Sequence, residues 1–371
     1  MSINSKSFAL RELFASAGAR FGTRRGREVV EEFSGIDEEY RAARESVVVA
    51  DRSYRAFIRV TGKDRLSFLQ NMLSNDVKRL QTGEGMWAAL LTRKGTLISD
   101  LVVYQLGDAL LLGMEPECLS PARKSLSRYL VSEDVTLSDV TGDEALFSVE
   151  GPRAAKLLSQ ILVDPSETRL AELGMHHFIS KSDDEHDLRV SAARHGPGPA
   201  FDVAVPARQA AEFLVHLLDA GRPLGLRPVG WQVHEIRRIE AGIPLWEADM
   251  DASHLPLEAG LDDAISFNKG CYIGQEYVVR LAHRGHLNRK LTGLAFSGQT
   301  VPNAGDEVRA SHDESARAAG RVTSAAFSPS LGQPIAMGYV PSALLQPDTV
   351  VTVMSGDRAL PARVTELPFI E

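Results

Sequence analysis

Two stretches of the chain repeat one pattern of apolar and polar positions. Residues 56–73 read AFIRVTGKDRLSFLQNML and residues 145–162 read ALFSVEGPRAAKLLSQIL. They align without a gap, placing Val60 with Val149, Gly62 with Gly151, Leu69 with Leu158 and Leu73 with Leu162. Alternation up to the glycine predicts a strand, the glycine a turn, and the leucines beyond it an amphipathic helix. Leu66, Leu69 and Leu73 share one helical face, as do Leu157, Leu158 and Leu162.

After the first copy, MWAALLT and TLISDLVVY predict strands joined by a tight RKG turn, followed by a third strand at ALLLG. A helix is expected next, with Ser120 as its cap and Pro121 as its first residue. The second copy continues with strands at LRVSAAR and AFDVAVP on either side of HGPGP, then a helix ARQAAEFLVHLLDAG closed by Gly221. Strands and helices mixed in this way predict two related α+β lobes. From Leu291 the texture changes to short alternating runs punctuated by Gly, Pro, Asn and Asp, which predicts a small β-barrel. The expected divisions are 1–142 for the N-terminal segment and first lobe, 143–288 for the second lobe and a return segment, and 289–371 for the barrel.

Composition narrows the function classes. The chain has 371 residues, a formal charge of −8 and two cysteines, Cys118 and Cys271. An acidic whole argues against a surface built for nucleic acid. Two distant cysteines exclude a disulfide framework and fit a reducing compartment. No apolar run reaches the ~20 residues that span a bilayer, so a soluble chain is expected. The Arg-rich N-terminal stretch SFALRELFASAGARFGTRRGR reads as a docked helix, with a mitochondrial presequence as the alternative to a cytoplasmic protein. The mixed surface, without long apolar stripes, predicts a monomer.

The most distinctive stretch is KGCYIGQE, comprising Lys269, Gly270, Cys271, Tyr272, Ile273, Gly274, Gln275 and Glu276. It follows AISFN, read as a strand, and opens a predicted helix with Ile273, Tyr277 and Leu281 along one face and Glu276 paired with Arg280. A thiol just ahead of a helix N-terminus and two residues from a lysine is placed to favour the thiolate. Cys271, His283 and His286 do not make a metal site on their spacing, since no fourth ligand is apparent, and no metal is expected. Phosphate-loop and nucleophile-elbow motifs are missing. The segment RLAHRGHLNRK is locally basic through Arg280, Arg284, Arg289 and Lys290, and reads as a solvated helix end whose cations complement the dipole, with a docking patch for polyglutamyl folate, an acidic protein or RNA as the functional alternative.

KGCYIGQE closely resembles the signature of YgfZ-type proteins, folate-binding iron–sulfur cluster assembly factors related to the glycine cleavage T-protein (aminomethyltransferase). The segments TGKDRLSFLQNMLSNDV, GTLISDLVVY, RRIEAGIPLW, LPLEAGLDDAISFNKGCYIGQE and GRVTSAAFSPSLGQPIAMGYV resemble family segments in family order. The resemblance implies an aminomethyltransferase-like ring of two α+β lobes plus a C-terminal β-barrel, around a hole that holds tetrahydrofolate or a one-carbon derivative. It implies a role in iron–sulfur cluster assembly or repair, linked to tRNA modification, with Cys271 as the functional thiol and iron–sulfur clients as partners. A folate-dependent aminomethyl- or methyltransferase centred on Asp100 is the alternative.

By the same resemblance, Asp100 sits beside the reactive folate nitrogens, where a carboxylate can move a proton. An exposed edge-strand position is the competing reading of Asp100. Arg238 and Glu240 match a folate-lining segment, the arginine suited to a carboxylate tail, although one charged helical face would look the same. Asn75 and Asp76 read as cap and turn residues. T-proteins carry a Thr-Gly-Glu-Asp-Gly segment where this chain has HGPGPAFD. Asp202 remains there without the Glu-Asp pair, a departure that argues against aminomethyl transfer.

Overall fold

Both copies of the repeat fold as strand, left-handed glycine and helix. In the computed structural model, which describes residues 3–162, 167–182, 187–284, 287–310 and 318–371, they are strand Ala56–Thr61 with helix Arg65–Met72, and strand Glu144–Glu150 with helix Ala154–Leu162. The glycines are required. Gly62 has φ +99° and a Cβ there would lie 2.1 Å from the Asp134 carbonyl, while Gly151 has φ +111° and its Cβ would lie 2.7 Å from the Ser46 carbonyl. Leu69, Leu73, Leu157, Leu158 and Leu162 are all buried, as an apolar helical stripe requires.

The chain forms two compact units. The first comprises Met1–Gln70, Asn75–Ala88 and Asp100–His234, the second Asn71–Ser74, Ala89–Ser99 and Glu235–Glu371. The initial repeat copy sits in a five-stranded sheet ordered Gly85–Leu91, Leu97–Gln105, Leu110–Met114, Ala56–Thr61, Thr136–Asp139. The second copy sits in a six-stranded sheet ordered Phe178–Ser182, Asp187–Ala193, Ala200–Pro206, Glu144–Glu150, Val47–Asp51, Leu226–Pro228. Val47–Asp51 thus precedes the first copy in sequence yet pairs antiparallel with Glu144–Glu150 and parallel with Leu226–Pro228. Its valines join Phe147, Phe201, Phe213 and the helix Ala210–Gly221 in the main apolar core, where Leu10 and Phe14 of the N-terminal helix also dock. A smaller cluster of Phe57, Tyr104, Leu111, Leu146, Phe178 and Ala204 draws on both sheets.

The second unit contains a closed six-stranded barrel ordered Arg289–Phe296, Gln333–Pro341, Ala318–Ser328, Glu307–Arg309, Val350–Ser355, Arg358–Thr365. Closure leaves no sheet edge to protect, and the interior is filled by Leu294, Val322, Val340, Val353 and Val364.

Four local expectations are corrected. The helix expected to start at Pro121 runs from Pro116 to Arg128. Pro116 takes the first-turn position that tolerates proline, and Pro121 lies inside the helix at the cost of one ladder hydrogen bond. Gly221 is helical rather than a left-handed stop; the chain continues through Arg222–Leu224 and the left-handed residue is Gly225, φ +77°. Gly221 is small because a Cβ would lie 2.4 Å from Leu226 Cδ2. AISFN is not a strand but follows the short 3-10 turn Asp262–Ala264. Ser74 pins it, its hydroxyl donating to the Ala264 carbonyl at 2.6 Å and its carbonyl accepting from Ser266 N at 3.0 Å. In the helix Gln275–Arg284, Val278 rather than Tyr277 faces inward, and the Arg280 guanidinium lies 4.9 Å over the Tyr277 ring.

Candidate active site

A charged centre lies in the first unit, assembled from the ends and middles of strands in both sheets. Asp100 is the fourth residue of Leu97–Gln105, an interior strand of its sheet, so the edge-strand reading of this residue is corrected. It is partly buried, and its Oδ2 accepts a hydrogen bond from Trp87 Nε1 at 3.2 Å. Alternation along the strand puts Tyr104 on the same face as Asp100. Tyr104 is buried, edge-on to Phe178, with the Arg189 guanidinium 5.6 Å over its ring.

The loop after Val47–Asp51 brings in two arginines. It is fixed by Arg52 N donating to the Leu146 carbonyl at 2.8 Å and by Ser53 Oγ accepting from Leu146 N at 3.1 Å. Arg55 pairs with Glu115, which sits just ahead of the helix Pro116–Arg128 and is buried. Arg52 is 9% exposed and donates from Nη1 to His234 Nε2 at 2.9 Å. Arginine only donates, so His234 accepts there and is neutral. From the second sheet, Asp202 Oδ1 and His195 Nε2 are 2.7 Å apart.

These neighbours drive the carboxyl groups apart. Burial pushes Asp100 above the usual carboxylate range, Glu115 adds to the rise, and Arg55 and Trp87 oppose it without cancelling it. Burial also acts to raise Asp202, but His195, Arg52 and Arg55 outweigh it and hold this carboxyl at about 2. Glu115 is lowered in the same way, burial being overcome by Arg55 and Arg52. Burial works against the Arg55 cation, yet Glu115, Tyr54, Asp100 and Asp202 leave its pKa raised. The centre therefore combines two fixed anions, the Arg52 and Arg55 cations, and one carboxyl, Asp100, poised to exchange a proton.

The other expected site residues lie in the second unit and do different work. Arg238 is 2% exposed, and its donors are all engaged: Nε with Glu235 at 2.7 Å, Nη1 with Asp249 at 2.8 Å and the Ile243 carbonyl at 3.1 Å, and Nη2 with Ser324 at 2.7 Å and Glu235. Glu240 is buried, accepting from Ser328 Oγ at 2.5 Å. The folate-tail role expected of Arg238 and Glu240 is corrected: they tie their helix to the barrel strand Ala318–Ser328. Lys269 is likewise buried, with Nζ donating to the Leu73 carbonyl at 2.6 Å and lying 5.1 Å over the Tyr272 ring. Cys271 is exposed and precedes the helix Gln275–Arg284 by four residues. Gly274, φ +85°, packs where a Cβ would lie 2.5 Å from the Thr92 carbonyl; Gln275 accepts from Tyr272 N at 3.3 Å. A Cβ on Gly270 would meet open space, and Glu276 is exposed, so the octet is a turn and a helix start.

The basic segment is partly engaged as well. Arg289 lies 5.0 Å over Tyr339 and 3.6 Å from Glu258, and Lys290 lies 3.7 Å from Asp262. His286 lies outside the described residues. Among the described residues no group of three His, Cys, Asp or Glu could hold a metal, and no helix is long and apolar enough to cross a membrane.

Two family models cover the chain, the GCVT N-terminal domain over residues 10–269 and the glycine cleavage T-protein C-terminal barrel domain over residues 289–371. The chain belongs to the glycine cleavage T-protein family. It is 30% identical over its whole length to 98% of an aminomethyltransferase from Symbiobacterium thermophilum, and 28% identical to one from Chloroherpeton thalassium, covering 97% of this chain and 98% of that one. It is also similar to the crystal structure of the glycine cleavage system aminomethyltransferase T from Bartonella henselae, with TM-score 0.87, 25% identity, and coverage of 98% and 97% of the two chains. These findings overturn the iron–sulfur assembly role expected from KGCYIGQE: these relatives, which match end to end, are named for aminomethyl transfer. The departure at HGPGP does not separate the chain from them either, and in the structure that loop carries His195 to Asp202.

Arg52, Arg55, Glu115, Trp87 and His195 were not anticipated. A signal existed for the arginines, because ADRSYRA places two of them three residues apart directly after the apolar run VVV.

Proposed function

We propose that this protein is a tetrahydrofolate-dependent one-carbon transferase of the aminomethyltransferase type, with Asp100 as its proton-handling residue. The observation that carries this is the opposed pair of carboxyls, Asp202 held ionised and Asp100 raised, inside a centre walled by Trp87, Tyr54 and Tyr104. When a one-carbon unit is transferred to a secondary amine of the reduced pterin, the nitrogen lone pair forms the new C–N bond as the bond from that carbon to its donor breaks, the donor group leaving with the bonding pair, and the resulting cationic nitrogen must lose its proton. A carboxylate with a raised pKa is a stronger base than an ordinary one and takes that proton more readily. The fixed charges around it stabilise the developing cation without reorganising. Family membership over nearly the full chain supports the same reading, and aminomethyltransferases use tetrahydrofolate as acceptor.

The test is calorimetric titration with tetrahydrofolate together with an assay for the methylene-folate product, on the wild type and on Asp100→Asn. The expected result is retained binding with transfer reduced ~10²-fold or more. Equal transfer by the two proteins would remove Asp100 from the mechanism. Cys271→Ser is expected to leave transfer unchanged.

A further inference from the structure

The first unit contains a cavity of about 820 Å³ that Asp100 does not line, a volume within the range of small-molecule sites. Its walls come from the N-terminal helix, the hairpin Arg20–Arg24/Arg27–Glu32, the strand Val47–Asp51 and the start of the helix Trp231–Glu240. Phe14, Phe21, Phe33, Tyr54 and Trp231 make much of the lining aromatic. Phe14 and Phe33 meet edge to face at 5.8 Å, and Tyr54 and Trp231 lie 6.3 Å apart at a tilt.

Arg52 lines the same cavity, 9% exposed, hydrogen-bonded through Nη1 to the neutral His234. Its Nε is buried without a hydrogen-bond partner. The Arg52 charge acts on the Asp202 and Glu115 carboxyls, but its buried Nε is left without an acceptor, and buried donors are normally hydrogen-bonded. Of the other charged lining residues, Arg11 pairs with Glu28 at 2.8 Å and Glu144 with Arg189 at 2.7 Å.

We propose that this cavity binds a small monocarboxylate with an aromatic or extended apolar body, its carboxylate on the Arg52 fork and its body against the aromatic walls. The planar fork matches a carboxylate, and the rings match a flat apolar group. Asp51, Asp143, Glu28 and Glu144 around the same space oppose a doubly charged phosphate. The site goes beyond the one-carbon reading and does not depend on it.

The experiment is calorimetric titration of the full chain with indole-3-propionate and with its uncharged isostere indole-3-propionamide. The acid should bind the wild type with Kd below about 1 mM and the amide about tenfold more weakly. Arg52→Gln, checked for an unchanged far-UV spectrum, should lose about tenfold in acid affinity and no longer distinguish acid from amide. Val30→Trp, which fills the cavity from the hairpin, should abolish binding of both and serves as the localising variant if Arg52→Gln does not fold. The proposal is overturned by absence of acid binding below that concentration, by equal affinity for acid and amide, or by wild-type affinity in either folded variant.

Discussion

Asp100 and Asp202 share a side chain and are driven in opposite directions by what surrounds them. Asp202 is depressed to about 2, so the stability it contributes is present above the ordinary Asp value and is lost as pH falls toward 2. That is about 2 kcal/mol, and Asp202→Asn should remove it and flatten stability against pH in that window, measured by urea unfolding at several pH values. Asp100 is raised, so its ionised form costs stability in the fold, and Asp100→Asn should melt at or slightly above the wild type. Arg238 is the contrasting residue. Removing the cation in Arg238→Met leaves Asp249, 0% exposed, as a buried unpaired anion, and should cost about 3–5 kcal/mol without changing intrinsic folate affinity of the folded protein. Which carboxyl would rise was not legible in the sequence, because Arg52, Arg55, Glu115 and His195 reach the centre from separate parts of the chain. Asp100 and Asp202 were legible only through family resemblance.

The strand–glycine–helix unit was the most legible element, because its period and its glycine report local geometry that the tertiary structure then uses. Gly62→Ala should destabilise by more than ~1 kcal/mol, since it combines φ +99° with a Cβ placed 2.1 Å from the Asp134 carbonyl; denaturant midpoints test this. Elements whose form depends on distant partners were harder to read. AISFN has strand composition, but Ser74 takes its backbone groups and leaves Phe267 41% exposed. Val47–Asp51 went unread because its four-residue apolar run, 47–50, gains its meaning only beside Glu144–Glu150, far along the chain. The octet KGCYIGQE misled in a related way: its buried Lys269 and close-packed Gly274 belong to a turn, which from sequence alone resembles a poised thiol.

Across the whole molecule the acid response should begin with a histidine beside the charged centre. His176 lies at the turn entering Phe178–Ser182, with φ +64°. Burial, with His195, His177 and Arg55, outweighs Asp202 and lowers its pKa to about 4. The unfolded chain binds that proton first, so stability should fall by up to about 3 kcal/mol between pH 6.5 and 4. His176→Asn, whose side chain suits the left-handed turn, should abolish this slope while leaving the Asp202 window in place. The central claim concerns one proton. Single-turnover transfer to tetrahydrofolate, followed from pH 5 to 9 in the wild type and in Asp100→Asn, tests it most directly. An acidic limb set by Asp100 is expected in the wild type and a slow, limb-free profile in the variant, with tetrahydrofolate still bound. The same limb and rate in both proteins would contradict it.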